Sequence, residues 1–437
     1  MKKTALVKTV LVLTCFLFSV SSFAQSNNDI VKKVQNLLVE NYIFLDKAEE
    51  TNKHLDKLMK QDYFDNMSAS DFAETLTKEL RKITKDKHLR VSSSSPKKKE
   101  KKSDKSFTED LSRYRAPMLR GFQLMESNIG YIDLAFFGGA DIHRSKIDMV
   151  MKEMEKADAI IIDMRRNGGG SPHTVNYLSS YFFNEKILLN TIYSRADNHS
   201  EEMWVVDVDG VKRPEVPVYI LTSSYTFSGA EDFSYTMQSR KRAVVIGEIT
   251  GGGAHPTRFY PLEKGFGIGI PFARTVNTVT KTNWEGTGVQ PDIKRKADDA
   301  LEEAKILAKK TSQDYKKSLF DPLKNALTSV KEEKNIHKQL NLLVQSKILN
   351  EGEINILGYS YLQRNEVGVA LAIFKSNTLL FPDSANVFDS YAEGLAKNKQ
   401  DELALLNYKK AVDVATKHKD RQLEIFKNNL KAFKEKK

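Results

Sequence analysis

Two kinds of hydrophobic pattern divide the chain. In its middle, nearly continuous apolar runs at residues 157–164 (ADAIIIDM) and 216–221 predict strands that are buried on both faces, as in a parallel sheet. A helical pattern over residues 229–240 follows the second run. From residue 29 to about 85, and again from about 335 onward, apolar positions recur with helical spacing. The pattern predicts an α/β core between two helical regions.

The second predicted strand leads into a turn that presents a serine. Residues 216–231 (VPVYILTSSYTFSGAE) read as a strand, a tight turn and a helix start, with Ser228 at the helix N-terminus. Free backbone N–H groups and the positive end of the helix dipole favour developing negative charge there. Ser228 also fits an ordinary N-cap, with Glu231 at N3 completing a capping box. This stretch alone leaves both interpretations open.

The first predicted strand leads into three consecutive glycines, Gly168, Gly169 and Gly170. A backbone without side chains can bring an N–H group within hydrogen-bond reach of a substrate oxygen. A flexible strand-to-helix connection is the alternative. Phosphate binding is disfavoured, because the loop has neither the Lys-Ser/Thr ending of a P-loop nor the glycine spacing of a dinucleotide site.

Four segments occur in the order IIDMRRNGGG, ILTSSYTFSGAE, VVIGEITGGGAHP and NWEGTGVQPDI. Together they resemble the serine peptidases that include the tail-specific or C-terminal processing proteases, tricorn protease and interphotoreceptor retinoid-binding protein. The resemblance implies a crotonase/ClpP-like α/β core, peptide-bond hydrolysis and Ser228 as nucleophile. The interval between His88 and the strand at residue 157 is too short for the PDZ domain common in tail-specific proteases. The chain is therefore nearest the retinoid-binding-protein-like branch.

Amide hydrolysis by a serine requires a base, donors for the oxyanion and often a carboxylate that orients the base. Part of the family uses a lysine in the segment that here reads VVIGEITGGGAHP, which has no lysine. A histidine is therefore expected as the base. The resemblance favours His88, in KDKHLRV, while His173 and His255 stay open because their loops should reach the same sheet edge.

The same resemblance implies the remaining site residues. A carboxylate at Glu285 matches the tricorn-like tetrad, where it would orient the imidazole; an ordinary turn carboxylate is the alternative. Tricorn-like sites have a serine where this chain has Lys87, and Asp86 is a candidate supporting partner. The expected catalytic residues are Ser228, His88 and Glu285. The expected oxyanion donors are the N–H groups of Gly229 and of Gly169, with Gly168 as the alternative to Gly169. His255 and Gly168 are the expected substrate-binding residues.

The first 24 residues have the features of a secretory signal peptide. Three lysines precede an apolar segment at residues 9–20, which is short of the ~20 residues of a membrane span. We expect an exported protein, periplasmic or extracellular, with no integral membrane span after signal cleavage. The single cysteine, Cys15, lies in this segment, so the mature chain is expected to have neither disulfides nor a thiolate metal site.

The amino-acid composition limits which kinds of partner and cofactor we expect. The 437 residues are 40% hydrophobic and 29% charged, which is typical of a globular chain with two or three domains. The net charge of +11 lies in solvated tracts such as residues 97–102 rather than among aromatic residues, so no nucleic-acid partner is expected. No histidine or carboxylate has ligand spacing such as HExxH, and we expect neither a metal nor another cofactor.

The C-terminal region has an internal period. Phe374 and Tyr408 occupy equivalent places 34 residues apart, the length of a tetratricopeptide repeat, although a generic helical hairpin is the alternative. Such repeats stack to form a concave face for a protein partner or for self-association. The expected domains are a signal peptide (1–24), an N-terminal helical domain (25–91), a Ser/Lys-rich linker (92–105), the serine peptidase core (106–311), a helical linker (312–334) and tetratricopeptide-like repeats (335–437).

Two functional classes follow from the sequence. The first is an exported serine-type endopeptidase that acts on polypeptides through a Ser-His-Glu site without a catalytic lysine. The second is a catalytically inactive binding protein on a peptidase-like core, either a carrier of apolar ligands or a tetratricopeptide scaffold. The combination of serine, histidine, glutamate and glycine loops favours the first.

Overall fold

The computed structural model describes residues 27–93, 118–328 and 333–436. It divides into two compact units, Met1–Lys310 and Thr311–Lys437. The expected signal peptide, with Cys15, and nearly all of the expected linker at 92–105 lie outside the described residues. None of the described helices is long and apolar enough to cross a membrane.

The first unit mixes helices and strands. In chain order they are α1 (27–41), α2 (Leu45–Met59), α3 (Ala69–Thr84), β1 (Arg90–Ser93), β2 (Leu119–Met125), β3 (Ile129–Leu134), α4 (Ala140–Glu153), β4 (Ala159–Asp163), α5 (Pro172–Ser180), β5 (Leu188–Ser194), β6 (His199–Trp204), β7 (Val218–Thr222), α6 (Gly229–Ser239), β8 (Val244–Gly247), β9 (Thr257–Pro261), β10 (Phe266–Pro271), β11 (Ala273–Asn277) and β12 (Ile293–Lys294). Helix α7 (Ala300–Ala326) begins in this unit and ends in the second.

The main sheet has six strands in the order β12-β8-β7-β4-β3-β2. All neighbours are parallel except the edge pair β2 and β3. Every residue of β4 and β7 is buried, as their uninterrupted apolar sequences predict. Because these two parallel strands are neighbours, the loops after Asp163 and Thr222 leave the same edge of the sheet. The glycine loop and the serine turn therefore meet.

A smaller antiparallel sheet, β1-β10-β9, joins the N-terminal helices to the rest of the unit. Apolar residues of the helices, including Leu38, Phe72 and Leu76, share one buried core with Ile268 and Ile270 of β10. His88 lies two residues before β1 and is thereby held against the main part of the unit. A third sheet, β11-β5-β6, is also antiparallel.

The described part of the second unit is helical. After α7 it contains α8 (Glu333–Gln345), α9 (Glu351–Gln363), α10 (Val367–Leu380), α11 (Ala385–Lys397), α12 (Asp401–His418) and α13 (Leu423–Glu435). The α9–α10 pair is repeated by α11–α12 after 34 residues. A Cβ atom at Gly358 or Gly394 would press on the buried Phe374 ring, so both glycines allow close packing of the helices. The repeat is regular, and its tetratricopeptide identity stays a prediction.

Candidate active site

The turn between β7 and α6 holds Ser228 in a strained backbone conformation. Its φ is 53° and its ψ is −121°, values that non-glycine residues rarely adopt and that cost about 1–3 kcal/mol. Ser228 directly precedes the first helical residue, Gly229, whose N–H has no intrahelical partner. A strained serine at a helix N-terminus is the arrangement of an exposed nucleophile.

The Glu231 side chain holds this turn in place through hydrogen bonds. Its buried carboxylate accepts hydrogen bonds from the N–H groups of Ser228 (2.8 Å), Gly252 (2.6 Å) and Gly253 (2.8 Å), and from the Thr250 hydroxyl. Burial raises its pKa, and these four donors act in the opposite direction. The sequence indicated only a capping role for Glu231. The structure adds that it ties the serine turn to the second glycine run.

His88 lines the same cavity as Ser228, a cleft of about 420 Å³. Its ring packs on Phe227 at a centroid distance of 4.6 Å, and its backbone N–H donates to Asp86 Oδ1 over 3.0 Å. Nδ1 lies 3.8 Å from the same oxygen, and neither ring nitrogen has a hydrogen-bond partner among the described residues. Burial lowers the pKa of His88 to about 4, although Asp86 acts in the opposite direction. The imidazole is therefore neutral at pH 7.

Glu285 lies beside His255 rather than beside His88, which corrects the expectation that it orients the predicted base. Its Oε2 is 3.5 Å from His255 Nδ1 and accepts the Ala254 N–H over 2.6 Å. His255 Nδ1 is 2.7 Å from Asp86 Oδ2. The reason is a tertiary contact: the Trp284 indole donates to the Gly253 carbonyl, which holds the two turns together.

The pKa of Glu285 is raised to about 7, mainly by burial. Its Oε1 is buried and has no hydrogen-bond partner among the described residues. Asp86, His255 and Glu285 each place one donor atom within 4.8 Å of the others, a spacing that a metal ion also uses. The 2.7 Å separation between His255 and Asp86 has hydrogen-bond length, and no additional described residue completes a tetrahedral ligand set.

The glycine loop supplies backbone donors, though not all of those expected. Gly169 (φ +101°) packs so closely that a Cβ atom there would come within 2.7 Å of Ser228 Cβ. Its N–H, however, already donates to Asn167 Oδ1 over 2.8 Å, which corrects its expected role as a free donor. Gly170 lines the cleft beside Gly229, and its N–H has no partner among the described residues. Gly170 and Gly229 thus supply the free N–H groups.

The remaining candidates lie apart from this cleft. His173 is half-exposed and lies 3.7 Å from Glu201. Gly168 is exposed near the Tyr225 hydroxyl and is absent from the cleft lining. The exposed Lys87 donates to the Gly251 carbonyl over 2.5 Å. His255 is buried and does not line the cleft, and its ring centroid lies 5.4 Å from that of Phe44.

Comparisons with known proteins bear on this arrangement. The model described as peptidase family S41 matches residues 128–295, and that of the N-terminal domain of peptidase S41 in eukaryotic IRBP matches residues 18–119. The tail-specific protease of Haemophilus influenzae is 28% identical over 106 residues, which cover 24% of this chain and 14% of that protein. The chloroplastic carboxyl-terminal-processing peptidase 2 of Arabidopsis thaliana is 25% identical over 166 residues, 38% of this chain and 31% of that protein.

The matched segments thus span about a third or less of these curated relatives. Among solved structures, a Parabacteroides merdae protein assigned as a peptidase is 21% identical. Its alignment covers 64% of this chain and 96% of that chain, with a TM-score of 0.48. The tricorn protease aligns over 67% of this chain and 37% of that chain, at 14% identity and a TM-score of 0.44.

Proposed function

Because this chain belongs to peptidase family S41, we propose that it is an exported serine-type endopeptidase that hydrolyses peptide bonds of polypeptides. The observation that carries the proposal is the convergence of three features on one cleft. These are the strained Ser228, the unpartnered imidazole of His88, and the free N–H groups of Gly170 and Gly229. The mature protein begins near residue 25 in this proposal.

His88 is the proposed general base. Its neutral ring can accept the Ser228 hydroxyl proton as the oxygen attacks the scissile carbonyl. Asp86 is the carboxylate nearest to His88, and it stabilises the imidazolium that proton transfer creates. His255 and Glu285 support this step indirectly, because His255 holds the other oxygen of Asp86. The proposed catalytic triad is therefore Ser228, His88 and Asp86 instead of Ser228, His88 and Glu285. His255 and Glu285 support Asp86.

The backbone N–H groups of Gly170 and Gly229 are the proposed oxyanion donors. Attack by Ser228 moves negative charge onto the carbonyl oxygen, and two fixed donors hold that charge without reorganisation. The amine then leaves with the proton held by His88, and a water molecule hydrolyses the acyl-enzyme by the reverse proton path. Losing one such donor typically lowers turnover by about a hundred- to a thousandfold.

The test is labelling of the purified protein with a fluorophosphonate serine probe, followed by peptide mapping. We expect modification of Ser228, and loss of modification in Ser228→Ala and His88→Ala. A matched control is His173→Ala, which removes an exposed imidazole paired with Glu201 and should label like the parent protein. Labelling that survives His88→Ala but not His255→Ala would move the base to His255. Absence of labelling in the folded parent protein would favour the non-hydrolytic binding protein instead.

The helical repeats are proposed to recruit polypeptide substrates or a protein partner. The support is the repeat of α9–α10 by α11–α12, since stacked helix pairs leave a concave surface. An excess of the separately expressed second unit, Thr311–Lys437, should inhibit cleavage of a protein substrate but not of a short peptide. Equal inhibition of both would contradict recruitment.

A further inference from the structure

The cleft contains a carboxyl group that the proposed mechanism does not use. Asp232 lies four residues after Ser228, and its backbone N–H donates to the Ser228 carbonyl. Only 6% of its surface is exposed, yet it lines the cleft together with Ser228, Gly229 and His88. A buried acid that faces a substrate cleft is a candidate for substrate recognition.

The hydrogen bonds of Asp232 leave one oxygen free. Oδ1 accepts from Asn190 Nδ2 over 2.6 Å and from the Thr236 hydroxyl over 3.2 Å. Among the described residues, Oδ2 accepts no hydrogen bond, and no lysine or arginine forms an ion pair with the carboxyl group. Burial accordingly raises its pKa to about 7. Ionisation of such a group is costly unless a cation reaches it.

The lining of the cleft indicates what kind of cation fits. Pro172, Phe272 and Trp284 give the cleft apolar walls, and Thr275 adds a small polar group. Asp232 follows the nucleophile by four positions, and four positions of an α-helix rise by about 6 Å. That distance is comparable with the length of an extended lysine stem. Long aliphatic stems pack on apolar walls while their charged heads seek a polar partner.

We propose that Asp232 is the specificity residue for the side chain on the acyl side of the scissile bond, and that the protein cleaves after lysine or arginine. The inference rests on the proposed peptidase function. The substrate cation supplies the charge partner that the protein itself does not provide, and it binds Oδ2. An aliphatic side chain would leave that oxygen desolvated and unpaired, which disfavours it.

The experiment compares two fluorogenic peptides that differ only in the residue before the cleaved bond, lysine or its uncharged isostere norleucine. In the parent protein we expect kcat/KM to be about tenfold or more higher for lysine, the value of one charge-assisted hydrogen bond. In Asp232→Asn the ratio should fall towards one, because the variant has no negative charge to pair with the lysine of the substrate. The asparagine keeps an Oδ1 acceptor for Asn190, so the local packing should be preserved. Asp207→Asn, which neutralises an exposed carboxylate of the same unit, should keep the parental ratio.

Each outcome decides the inference. A ratio near one in the parent protein overturns it without any variant, and so does a lysine preference that persists in Asp232→Asn. If Asp232→Asn does not fold, cleavage-site mapping on unfolded casein by the parent protein is decisive. Cleavage without enrichment of basic residues refutes the inference. Fluorophosphonate labelling of Ser228 separates the two proposals: labelling without basic preference overturns only the specificity, whereas no labelling removes the peptidase function with it.

Discussion

Replacing Glu231 by glutamine tests whether one carboxylate holds the active-site turn together. The fully buried glutamate accepts four hydrogen bonds, two on each oxygen. In Glu231→Gln, the amide group must turn its –NH₂ towards one of these pairs. If it faces the first pair, it meets Ser228 N–H and Gly253 N–H. If it faces the second, it meets Gly252 N–H and the Thr250 hydroxyl, which already accepts from Val289.

In either orientation at least one backbone N–H is left buried against another donor. An unsatisfied buried group costs about 1–3 kcal/mol, and the loss of charge-assisted bonds adds to this, so we expect Glu231→Gln to lose about 2–4 kcal/mol of unfolding free energy. That is a large part of the 5–15 kcal/mol typical of a domain. The turn should also loosen, which would slow labelling of Ser228 by about tenfold or more.

Urea unfolding followed by tryptophan fluorescence measures the loss in the correct unit, because both tryptophans, Trp204 and Trp284, belong to the first unit. Glu215→Gln is the matched control, an exposed glutamate of the same unit. The control should change stability by less than about 0.5 kcal/mol. If Glu231→Gln unfolds within that same margin, or labels at the parental rate, the carboxylate does not organise the turn.

Three further predictions concern the same cleft. Ser228→Gly should abolish fluorophosphonate labelling yet raise the unfolding free energy by about 1 kcal/mol, because glycine adopts the positive φ without strain; a loss of stability would contradict the strain. Gly169→Ala should destabilise the first unit by about 2 kcal/mol or more, since its φ is +101° and the added methyl meets Ser228 and the Gly229 N–H; parental urea stability would refute this packing. The lowered pKa of His88 keeps the base neutral down to about pH 4, so labelling should decline there rather than at the ordinary histidine pKa of about 6.5; a midpoint near 6.5 would exclude His88 as the base.

The lowered pKa of His88 also has a consequence for stability. The folded state binds the proton less tightly than the unfolded chain does, so protonation favours unfolding as the pH falls. The contribution of His88 is therefore complete above pH 6.5 and is lost between about pH 6.5 and 4. Urea unfolding at pH 7 and pH 5 should show this loss in the parent protein, and a smaller loss in His88→Gln.

Local sequence patterns were sufficient for much of the architecture. The apolar runs at residues 157–164 and 216–221 became the buried parallel strands β4 and β7, because continuous β-branched sequences suit a sheet covered on both faces. The helix start after Ser228 follows from short-range turn and capping chemistry. The family, the serine turn and the mixed α/β core are thus properties that neighbouring residues encode.

Contacts between distant segments were beyond such patterns. Glu285 joins His255 instead of His88 because an indole hydrogen bond ties the turn at Trp284 to Gly253, 31 residues earlier in the chain. The Gly169 N–H donates to the Asn167 side chain, so Gly170 rather than Gly169 is the proposed donor from this loop. Sequence spacing identifies which residue types reach one sheet edge. Which atoms remain unpaired there depends on hydrogen-bond directions, and only the assembled tertiary structure fixes those directions.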